Sequence, residues 1–586
     1  MKRIIEIFIT LLVVAGGAAG QDVERTVEAL GGEVESLGED DFLELSSLLA
    51  APLPVNAADA SALAATGLFS AYQIASIIDY RSQHGDILSA TELGLLDGFN
   101  PYFVSRIRHL MSFEKAEGLS QSRLRSNVSS RFWLKDSSTS WGLRAKASLP
   151  GRFEAGIAAR SAYSDTPKLP PSSYSFYIIL QRGRSRYAVG DINLRFAQGL
   201  VLWNGLSFTG VSTPLSMIKR ASGLSGSSSY SGASHRGLAW EYRKQSFVAT
   251  SFITFPGLRG WFEGGRFNPA LMAGTNLSLL LRHGQLGLTA YAQSNAIHNT
   301  TFCLEQAAVS LDGRFCIRGR DIFFEAAFEP RLAAPAAGGT GHLPPAFAGT
   351  GGAAFPLGRA RLGVSARYLS RRYRGGLAAP VRAWSAASDE AGAAIALGLG
   401  ELAASIDAAT KPSSRRQQLK LKISDLIKIG SWALKPYAQA RIRNYGTDKS
   451  RCELRLDISR AAGALTFNAR ADAVKCIESG FLSYLESGFK PRDDKSFWLR
   501  GTIFRADNWY DRLFCYERDA PATFLVPFYY GRGYALSAYA SLKWSITRRG
   551  RIGAYLRAAY NGFFPDSQRK KPGSVELRLS ITWSGF

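Results

Sequence analysis

Residues 536–560 have the sequence LSAYASLKWSITRRGRIGAYLRAAY. Every second residue from Leu536 to Ile546 is apolar, and the residues between them are mostly polar or small. The same alternation returns from Ile552 to Tyr560, after a turn-like stretch at 547–550. A period of two places all the apolar side chains of a β-strand on one face. The stretch therefore predicts an antiparallel hairpin whose two strands each have one apolar face.

The same alternation recurs along the chain, at residues 359–368, 419–424, 451–459 and 575–583. Segments of about 10 residues separated by turn residues match strands that cross a bilayer at a tilt. A soluble β-sandwich also alternates, but it seldom sustains the pattern over a length such as 121–586. The sequence predicts a mainly β protein, a large antiparallel transmembrane β-barrel with an even number of strands, about 18–24.

The charge of the chain is divided between two regions. Residues 21–120 contain 5 Lys and Arg against 16 Asp and Glu, a net charge of −11. The whole chain carries +24 and residues 1–20 carry +1, which leaves +34 on residues 121–586. We expect many of these cations on the polar faces of the strands, where they would line the lumen and attract anions. The candidate lumen residues are Arg195, Arg359, Arg361, Arg367, Lys420, Lys422, Arg451, Arg455, Arg551 and Arg557.

Two other interpretations of the basic excess remain open. In the first, the cations attract no solute: barrels of the outer membrane also place Lys and Arg near the phosphates of lipopolysaccharide, and many lumen cations pair with Asp or Glu. In the second, the basic barrel binds the acidic region of the same chain, which could dock as a plug or as a cap at the mouth.

The acidic region predicts short helices with recognisable start signals. Asn56 is expected to cap a helix over 57–66, and Ser70 forms a capping box with Gln73 for a helix that runs to about His84. Ser89 and Glu92 form a second capping box, and Asn100 precedes a helix with Pro101 at its first position. The region therefore predicts two helix–turn–helix units, at about 57–84 and 90–111.

These two units resemble the tandem helix-hairpin-helix domain of ComEA-like competence proteins, with hairpins at 66–71 and 97–102. In that family a Gly-x-Gly turn presents backbone N–H groups to a nucleic-acid phosphate. The resemblance suggests these residues for phosphate or partner contact: Gly67, Leu68, Phe69, Gly98, Phe99, Asn100, Arg81 and Arg106. Phe69 and Asn100 replace the second glycine of each turn, and the region is acidic. Both departures favour a structural or protein-docking module over DNA binding.

The N-terminus predicts export. Lys2 and Arg3 precede a mostly apolar stretch and a small-residue cleavage signal before Gln21, as in a secretory signal peptide. No later segment has 18 uninterrupted apolar residues, so no transmembrane helix is expected. The predicted organisation is a signal peptide at 1–20, an acidic helical tether at 21–50, the tandem helix-hairpin-helix domain at 51–116 and the barrel at 121–586.

The last strand ends in an aromatic residue. Trp583 and Phe586 resemble the assembly signal of Gram-negative outer-membrane barrels, although the apolar residues are offset by one position from the terminal aromatic. The resemblance implies outer-membrane lipid, lipopolysaccharide and the barrel-assembly machinery as partners. Residues 190–203 also resemble a stretch of uncharacterised outer-membrane proteins that join a helix-hairpin-helix module to a barrel. Their simplest interpretation is a strand pair with a glycine bend.

Motifs for catalysis or metal binding are not found in this sequence. The six histidines and five cysteines fall in no metal-binding spacing, and nucleophile-elbow and phosphate-loop motifs are missing. We therefore expect no enzyme activity, no cofactor and no metal. A Cys303–Cys316 disulfide has no support beyond its spacing.

Three functions remain from the sequence. The first is a channel or transporter for an anionic or polymeric solute, docked or gated by the acidic module. The second is DNA binding or uptake. The third is a structural or assembly component that presents its periplasmic module to a protein partner. Long loops are predicted at 164–173, 204–235, 332–352, 375–390, 517–528 and 564–573.

Overall fold

The computed structural model describes most of the chain beyond the N-terminal region. The described residues are 26, 27, 45, 48, 49, 52–114, 124–149, 151–166, 169, 171–205, 210–228, 230, 234–244, 246–256, 270–294, 304–330, 345–492, 494–520, 525–547, 550–565 and 573–585. The predicted signal peptide, most of the predicted tether, Cys303 and Phe586 lie outside them. None of the helices in this described part has the length and hydropathy of a membrane span.

A closed antiparallel β-barrel dominates the fold. Its first strands are β3 (Arg125–Lys135), β4 (Ser138–Leu149), β5 (Phe153–Arg160), β6 (Ser173–Arg182), β7 (Ser185–Arg195), β8 (Gly223–Gly226), β9 (His235–Lys244), β10 (Phe247–Thr254), β11 (Met272–Leu281), β12 (Gly284–Ser294), β13 (Leu304–Ile317), β14 (Arg320–Glu329) and β15 (Ala346–Leu357). The remainder are β16 (Ala360–Leu369), β17 (Glu390–Leu399), β18 (Leu402–Lys411), β19 (Arg416–Ser424), β20 (Ile427–Ile429), β21 (Trp432–Arg443), β22 (Ser450–Ala462), β23 (Leu465–Lys475), β24 (Gly480–Arg492), β25 (Lys495–Ala506), β28 (Gly531–Thr547), β29 (Gly550–Phe563) and β30 (Ser574–Gly585).

Two of these segments do not add a position to the barrel wall. Strand β20 continues β19 along the same partner, β21, and β8 pairs only with the end of β7. The described residues therefore build a barrel of 24 strands. This confirms the prediction of a large antiparallel barrel with an even strand number.

Strand β30 closes the barrel. It pairs with β29 on one side and with β3 on the other, so that Trp583 lies opposite both Ile552 and Val128. Closure satisfies the backbone hydrogen bonds of both terminal strands and leaves the wall without an open edge.

The apolar face predicted for the strands points outward. Along β30 the exposed fractions of Val575, Leu577, Leu579 and Ile581 are 54%, 37%, 43% and 49%, respectively. On the opposite face of the same strand Ser580 is buried. Because successive side chains alternate between the two faces of the wall, the polar set faces the lumen.

The two ends of the barrel differ in the length of their connections. Strands β4–β5, β11–β12, β13–β14 and β17–β18 are joined by two or three residues at one end. At the other end the connections include 196–222, 370–389 and 507–530. We call these the short-turn end and the long-loop end. Strand β3 starts at the short-turn end, and β30 finishes there.

The smaller elements lie outside the barrel wall. The helices are α1 (Ala60–Ala65), α2 (Ala71–His84), α3 (Ala90–Leu93) and α4 (Pro101–Ile107), with 3₁₀ helices at Arg108–Leu110 and Trp509–Asp511. The short strands β1 (Leu53–Pro54) and β2 (Met111–Ser112) form a parallel pair, and β26 (Leu513–Phe514) and β27 (Phe528–Tyr529) form an antiparallel pair.

The start signals of α2, α3 and α4 are confirmed. Ser70 and Gln73 form the complete capping box of α2, Ser89 accepts from the Glu92 N–H, and Asn100 caps α4. A helix does lie within the predicted span 57–66, but its predicted start signal, Asn56, was wrong.

Asp59 caps α1, by accepting from the Ala62 N–H at 2.8 Å. The Asn56 side chain instead bonds both the N–H and the carbonyl of Ile87, each at 2.9 Å. Asn56, two residues after β1, therefore bonds the connection between α2 and α3, a long-range contact that local sequence signals do not indicate.

Gly190 bends β7 into the lumen. Its φ is +103°, and a Cβ at this position would collide with the carbonyl oxygen of Phe176 on the neighbouring strand. We expect Gly190→Ala to lower the free energy of unfolding by about 3 kcal/mol, because backbone strain and a collision add together. Urea unfolding in detergent, followed by heat-modifiable mobility on gels, measures this.

Gly183→Ala is the matched control. Gly183 also has a positive φ, +59°, but a Cβ there meets open space. Its expected cost is about 1 kcal/mol. Equal losses for the two variants would contradict the role given to Gly190.

Candidate functional site

An inward-folded stretch after the bend in β7 occupies part of the lumen. We call residues 192–205 and 210–222 the first inner segment. Almost all of their side chains are buried, including those of Leu200, Val201 and Leu202. The bend is held by Asp191, which accepts from Arg236 Nη2 at 2.8 Å and from the Phe176 N–H at 2.9 Å. Most of the long loop predicted at 204–235 lies in this connection, and its described part is largely buried, which the sequence did not indicate.

The first inner segment crosses the lumen to strands far from β7. The Gln198 and Leu200 N–H groups donate to one carboxylate oxygen of Glu325 on β14, at 2.8 and 3.0 Å. On β19, Lys422 Nζ donates to Ser212 Oγ at 3.1 Å. Glu325 and Lys422 lie on the lumen face, since both alternate with exposed apolar residues on their strands.

A second long connection folds over the first inner segment. Tyr373, in the connection between β16 and β17, donates to the Leu200 carbonyl at 2.5 Å. The Trp203 N–H donates to the Leu377 carbonyl at 3.0 Å. The aromatic and aliphatic side chains of both connections form one buried cluster with the lumen face of β6, β7, β12 and β14. The lumen therefore has a packed apolar core of its own.

The connection between β25 and β28 fills another part of the lumen. We call residues 507–520 and 525–530 the second inner segment. Arg518 bonds Glu486 on β24 at 3.1 Å, and its guanidinium lies 3.5 Å from the centre of the Trp498 ring. Glu517 of the same segment accepts from Arg557 on β29. The long loop predicted at 517–528 falls within this long connection, and its residues 517, 518 and 520 are buried, which the sequence did not indicate.

Most of the predicted lumen cations on the strands are matched by carboxylates. The ion pairs are Arg361 with Asp321 (2.5 Å), Arg367 with Glu390 (2.5 Å) and Asp407 (2.8 Å), Arg451 with Glu453 (3.7 Å), Arg455 with Asp457 (3.3 Å), and Arg557 with Glu576 (2.7 Å) and Glu517. A cation that is bonded to a carboxylate attracts a passing anion weakly. Of the interpretations of the basic excess, pairing with Asp and Glu of the barrel and its connections describes these residues best.

The other predicted lumen residues lie in different surroundings. Arg195 is buried in the first inner segment, where its Nε donates to the Asn204 carbonyl at 3.3 Å. Lys420 lies half-buried on β19. Arg551 is exposed near the start of β29. The prediction of Arg359 on a strand was wrong, because this residue lies exposed in the turn between β15 and β16.

The helical segment, residues 52–114, packs against the short-turn end of the barrel. Its Tyr72 hydroxyl donates to the Arg282 carbonyl in the β11–β12 turn at 2.7 Å. Burial raises the pKa of Tyr72 above its ordinary value. At the β17–β18 turn, Arg106 bonds Glu401 at 2.6 Å and also the Gly400 carbonyl. The segment is therefore anchored on separate parts of the rim.

Both inner segments reach the helical segment. The Ala71 N–H donates to the Ala221 carbonyl of the first inner segment at 3.0 Å. Leu215 of the first inner segment and Tyr516 of the second belong to the same buried cluster as the core of the helices. The lumen contents and the cover at the short-turn end thus pack as one body.

The predicted hairpin residues lie at this contact and are not on an open surface. Leu68 and Phe69 are fully buried, and Phe99 and Asn100 are 4% exposed. Asn100 Nδ2 donates to Asp321 on β14 at 3.0 Å. Gly98 is also buried, and Gly67 is half-buried.

The two predicted arginines of the helical segment are occupied as well. Arg81 Nη1 donates to the carbonyls of Val55 and Ala58, at 3.1 and 2.6 Å, and burial lowers its pKa. Arg106 is held on the barrel turn. In this arrangement the residues suggested for phosphate contact bind other parts of the same chain.

The described cysteines form no disulfide. No disulfide joins Cys316, Cys452, Cys476 or Cys515, and the suggested partner of Cys316 lies outside the described residues. Within the described part of the chain, no group of three or more His, Cys, Asp or Glu side chains has the arrangement of a metal site.

Sequence comparison finds no relative: no family model and no curated protein matches this chain. The helix-hairpin-helix resemblance therefore stays a prediction.

Comparison of the fold finds outer-membrane channel barrels among solved structures. Pseudomonas aeruginosa OccK3 (OpdO) is similar at 10% identity and a TM-score of 0.29, over 79% of this chain and 95% of that one. P. aeruginosa OpdK with vanillate is similar at 11% identity and a TM-score of 0.28, over 79% and 98%. The translocation pore of the P pilus usher PapC is similar at 10% identity and a TM-score of 0.38, over 79% and 99%.

Proposed function

We propose that this protein is a non-enzymatic outer-membrane channel or transporter whose lumen is closed in the resting state. Its own inner segments form the plug, and its helical segment is a cap on the periplasmic side. A solute passes when these elements move. No cofactor or metal takes part in this function.

The outer membrane is the location that suits this barrel. Its wall presents apolar side chains outward, and only a closed barrel satisfies the backbone of membrane-spanning strands. Outer-membrane barrels have short turns on the periplasmic side and longer loops outside. The short-turn end and the helical segment then lie in the periplasm. Outer-membrane lipid, lipopolysaccharide and the barrel-assembly machinery are the partners this location implies.

The meeting of three elements carries the proposal. Leu215, Tyr516 and the helical core share one buried cluster, so the plug and the cap support each other. The barrel wall does not need either inner segment for its hydrogen bonds, because the strands complete their pairing without them. A plug that is separate from the wall can move while the wall stays intact.

DNA uptake is the less favoured alternative. The hairpin turns that would contact phosphate are buried against the barrel, and the helical region is acidic. Binding of DNA would need the cap to leave its seat and would still lack the cations that dominate phosphate binding. A structural or assembly role, with a periplasmic protein bound to the exposed side of the cap, is an outcome of the test below.

Loss of the Glu325 carboxylate tests the plug. Glu325→Leu removes the acceptor for two buried N–H groups of the first inner segment, and unpaired buried donors are costly. We expect more frequent channel openings in planar bilayers than for the unchanged chain. Glu325→Gln keeps one carbonyl acceptor and is expected to be intermediate.

The measurement is single-channel recording of the full chain and both variants after reconstitution. Heat-modifiable mobility on gels verifies that each barrel is folded. If none of the three proteins conducts at any voltage, Glu325 does not keep the channel closed. A barrel that does not conduct even after the first inner segment has been removed would favour the structural role.

A further inference from the structure

At the long-loop end, two aromatic rings and three cations lie together. Trp384 Nε1 donates to the Tyr445 hydroxyl at 2.6 Å, and the two ring centres are 6.3 Å apart. Lys411 Nζ lies 5.5 Å from the centre of the Trp384 ring. The guanidinium groups of Arg416 and Arg443 each lie 5.3 Å from the centre of the Tyr445 ring. We call these five residues the outer cluster.

The outer cluster faces the entrance to the lumen. Arg416 alternates along β19 in the same phase as Gln418 and Lys422, which are buried on the lumen face. Arg443 lies opposite Gln418, and Lys411 lies opposite Arg416, so all three cations share that face. Trp384 belongs to the 370–389 connection, which covers the first inner segment. A solute that enters from outside therefore meets the outer cluster before the plug.

The cations of the outer cluster are less neutralised than those deeper in the lumen. Arg443 shares Asp448 with Arg441, at 2.9 and 2.6 Å. In the described part of the chain, no carboxylate lies within ion-pair distance of Lys411 or Arg416. Yet these two cations face each other directly across β18 and β19, and like charges in that position destabilise a sheet. An anion between them would relieve the repulsion.

We infer that the outer cluster is a capture site for a sugar that carries an anionic group. The partly exposed indole of Trp384 offers apolar surface beside the cations to the apolar side of a sugar. Lys411 and Arg416 take a phosphate or carboxylate through charge-assisted hydrogen bonds. Cations that converge beside an apolar indole favour a ligand that has both an anionic group and an apolar side over a bare ion. This inference rests on the proposed channel function, and it names the solute class.

Equilibrium binding tests the inference without requiring the barrel to conduct. Calorimetric titration of the detergent-solubilised full chain uses glucose 6-phosphate, glucuronate, glucose and inorganic phosphate as probes. At least one of the two anionic sugars is expected to bind about tenfold more tightly than glucose and inorganic phosphate. The comparison between glucose 6-phosphate and glucuronate distinguishes phosphate from carboxylate recognition.

The variant Lys411→Gln/Arg416→Gln is expected to weaken that binding about tenfold or more. Trp384→Leu tests the contact with the indole. It is expected to weaken the binding of the anionic sugar but not the binding of inorganic phosphate. Arg492→Gln removes one exposed charge at the other end of the barrel and is the control, with unchanged affinity expected.

Two results would overturn the inference. One is an anionic sugar that binds no better than glucose or inorganic phosphate. The other is an affinity that the Lys411→Gln/Arg416→Gln variant leaves unchanged. A barrel that stays silent in bilayers after loss of its plug, but keeps an intact capture site, would refute the channel function alone. A conducting barrel without sugar binding would refute the capture site alone.

Discussion

Replacement of residues 196–222 by Asn-Gly is expected to turn a closed barrel into a conducting one. Arg195 and Gly223 lie opposite each other where β7 pairs with β8, so a two-residue turn can join them without a change of register. Asn-Gly is the favoured sequence for such a hairpin turn. The variant removes the part of the first inner segment that crosses to Glu325 and Lys422, and it keeps every strand of the wall.

The expected result is a stable open conductance where the unchanged chain is mostly closed. Uptake of a small sugar into liposomes should rise in parallel. Ser212→Ala is the matched control within the same segment, because it removes only the bond to Lys422. It should remain mostly closed. A folded Asn-Gly variant that still does not conduct would mean that the second inner segment and the cap suffice to close the lumen, or that the barrel is not a channel.

Glu486→Ala is expected to produce the largest loss of stability. The Glu486 side chain is 2% exposed and bonds Arg500 at 2.8 Å and Arg518 at 3.1 Å. Without it, two guanidinium groups stay buried in the lumen with their shared carboxylate gone. Removal of one partner from a buried ion pair costs about 3–5 kcal/mol, because the remaining charge is desolvated without compensation.

Urea unfolding of the reconstituted protein, followed by tryptophan fluorescence, measures this loss. Glu401→Ala is the control, since Glu401 also pairs with an arginine but is 50% exposed. Its expected cost is below about 1 kcal/mol, because solvent screens an exposed pair. Similar losses for both variants would show that the Glu486 network does not stabilise the lumen as described.

The sequence predicted the barrel wall well because its signal is local. Alternation at Val575, Leu577, Leu579 and Ile581 depends only on the two-residue period of a strand, and those side chains point outward as expected. Helix starts at Ser70, Ser89 and Asn100 were predicted for the same reason, since a cap bonds a backbone group three residues away.

The lumen could not be predicted in the same way. Glu325 bonds the Gln198 and Leu200 N–H groups across more than 120 residues, and no periodicity joins these positions. Arg361 and Arg367 were identified as lumen cations, but their carboxylate partners come from other strands. Gly190 and the apolar residues after it were a local signal for an inward bend, which the sequence alone could not separate from an ordinary strand pair.

The sequence by itself determined a large antiparallel barrel with an apolar outer face and a basic excess, because strand period and charge are properties of neighbouring residues. Only the tertiary structure decided where the long connections run, which cations are neutralised and where the helical segment sits. Those features depend on contacts between residues that are distant along the chain. Closure of the wall brings these residues together, and their burial then makes pairing of their charges necessary.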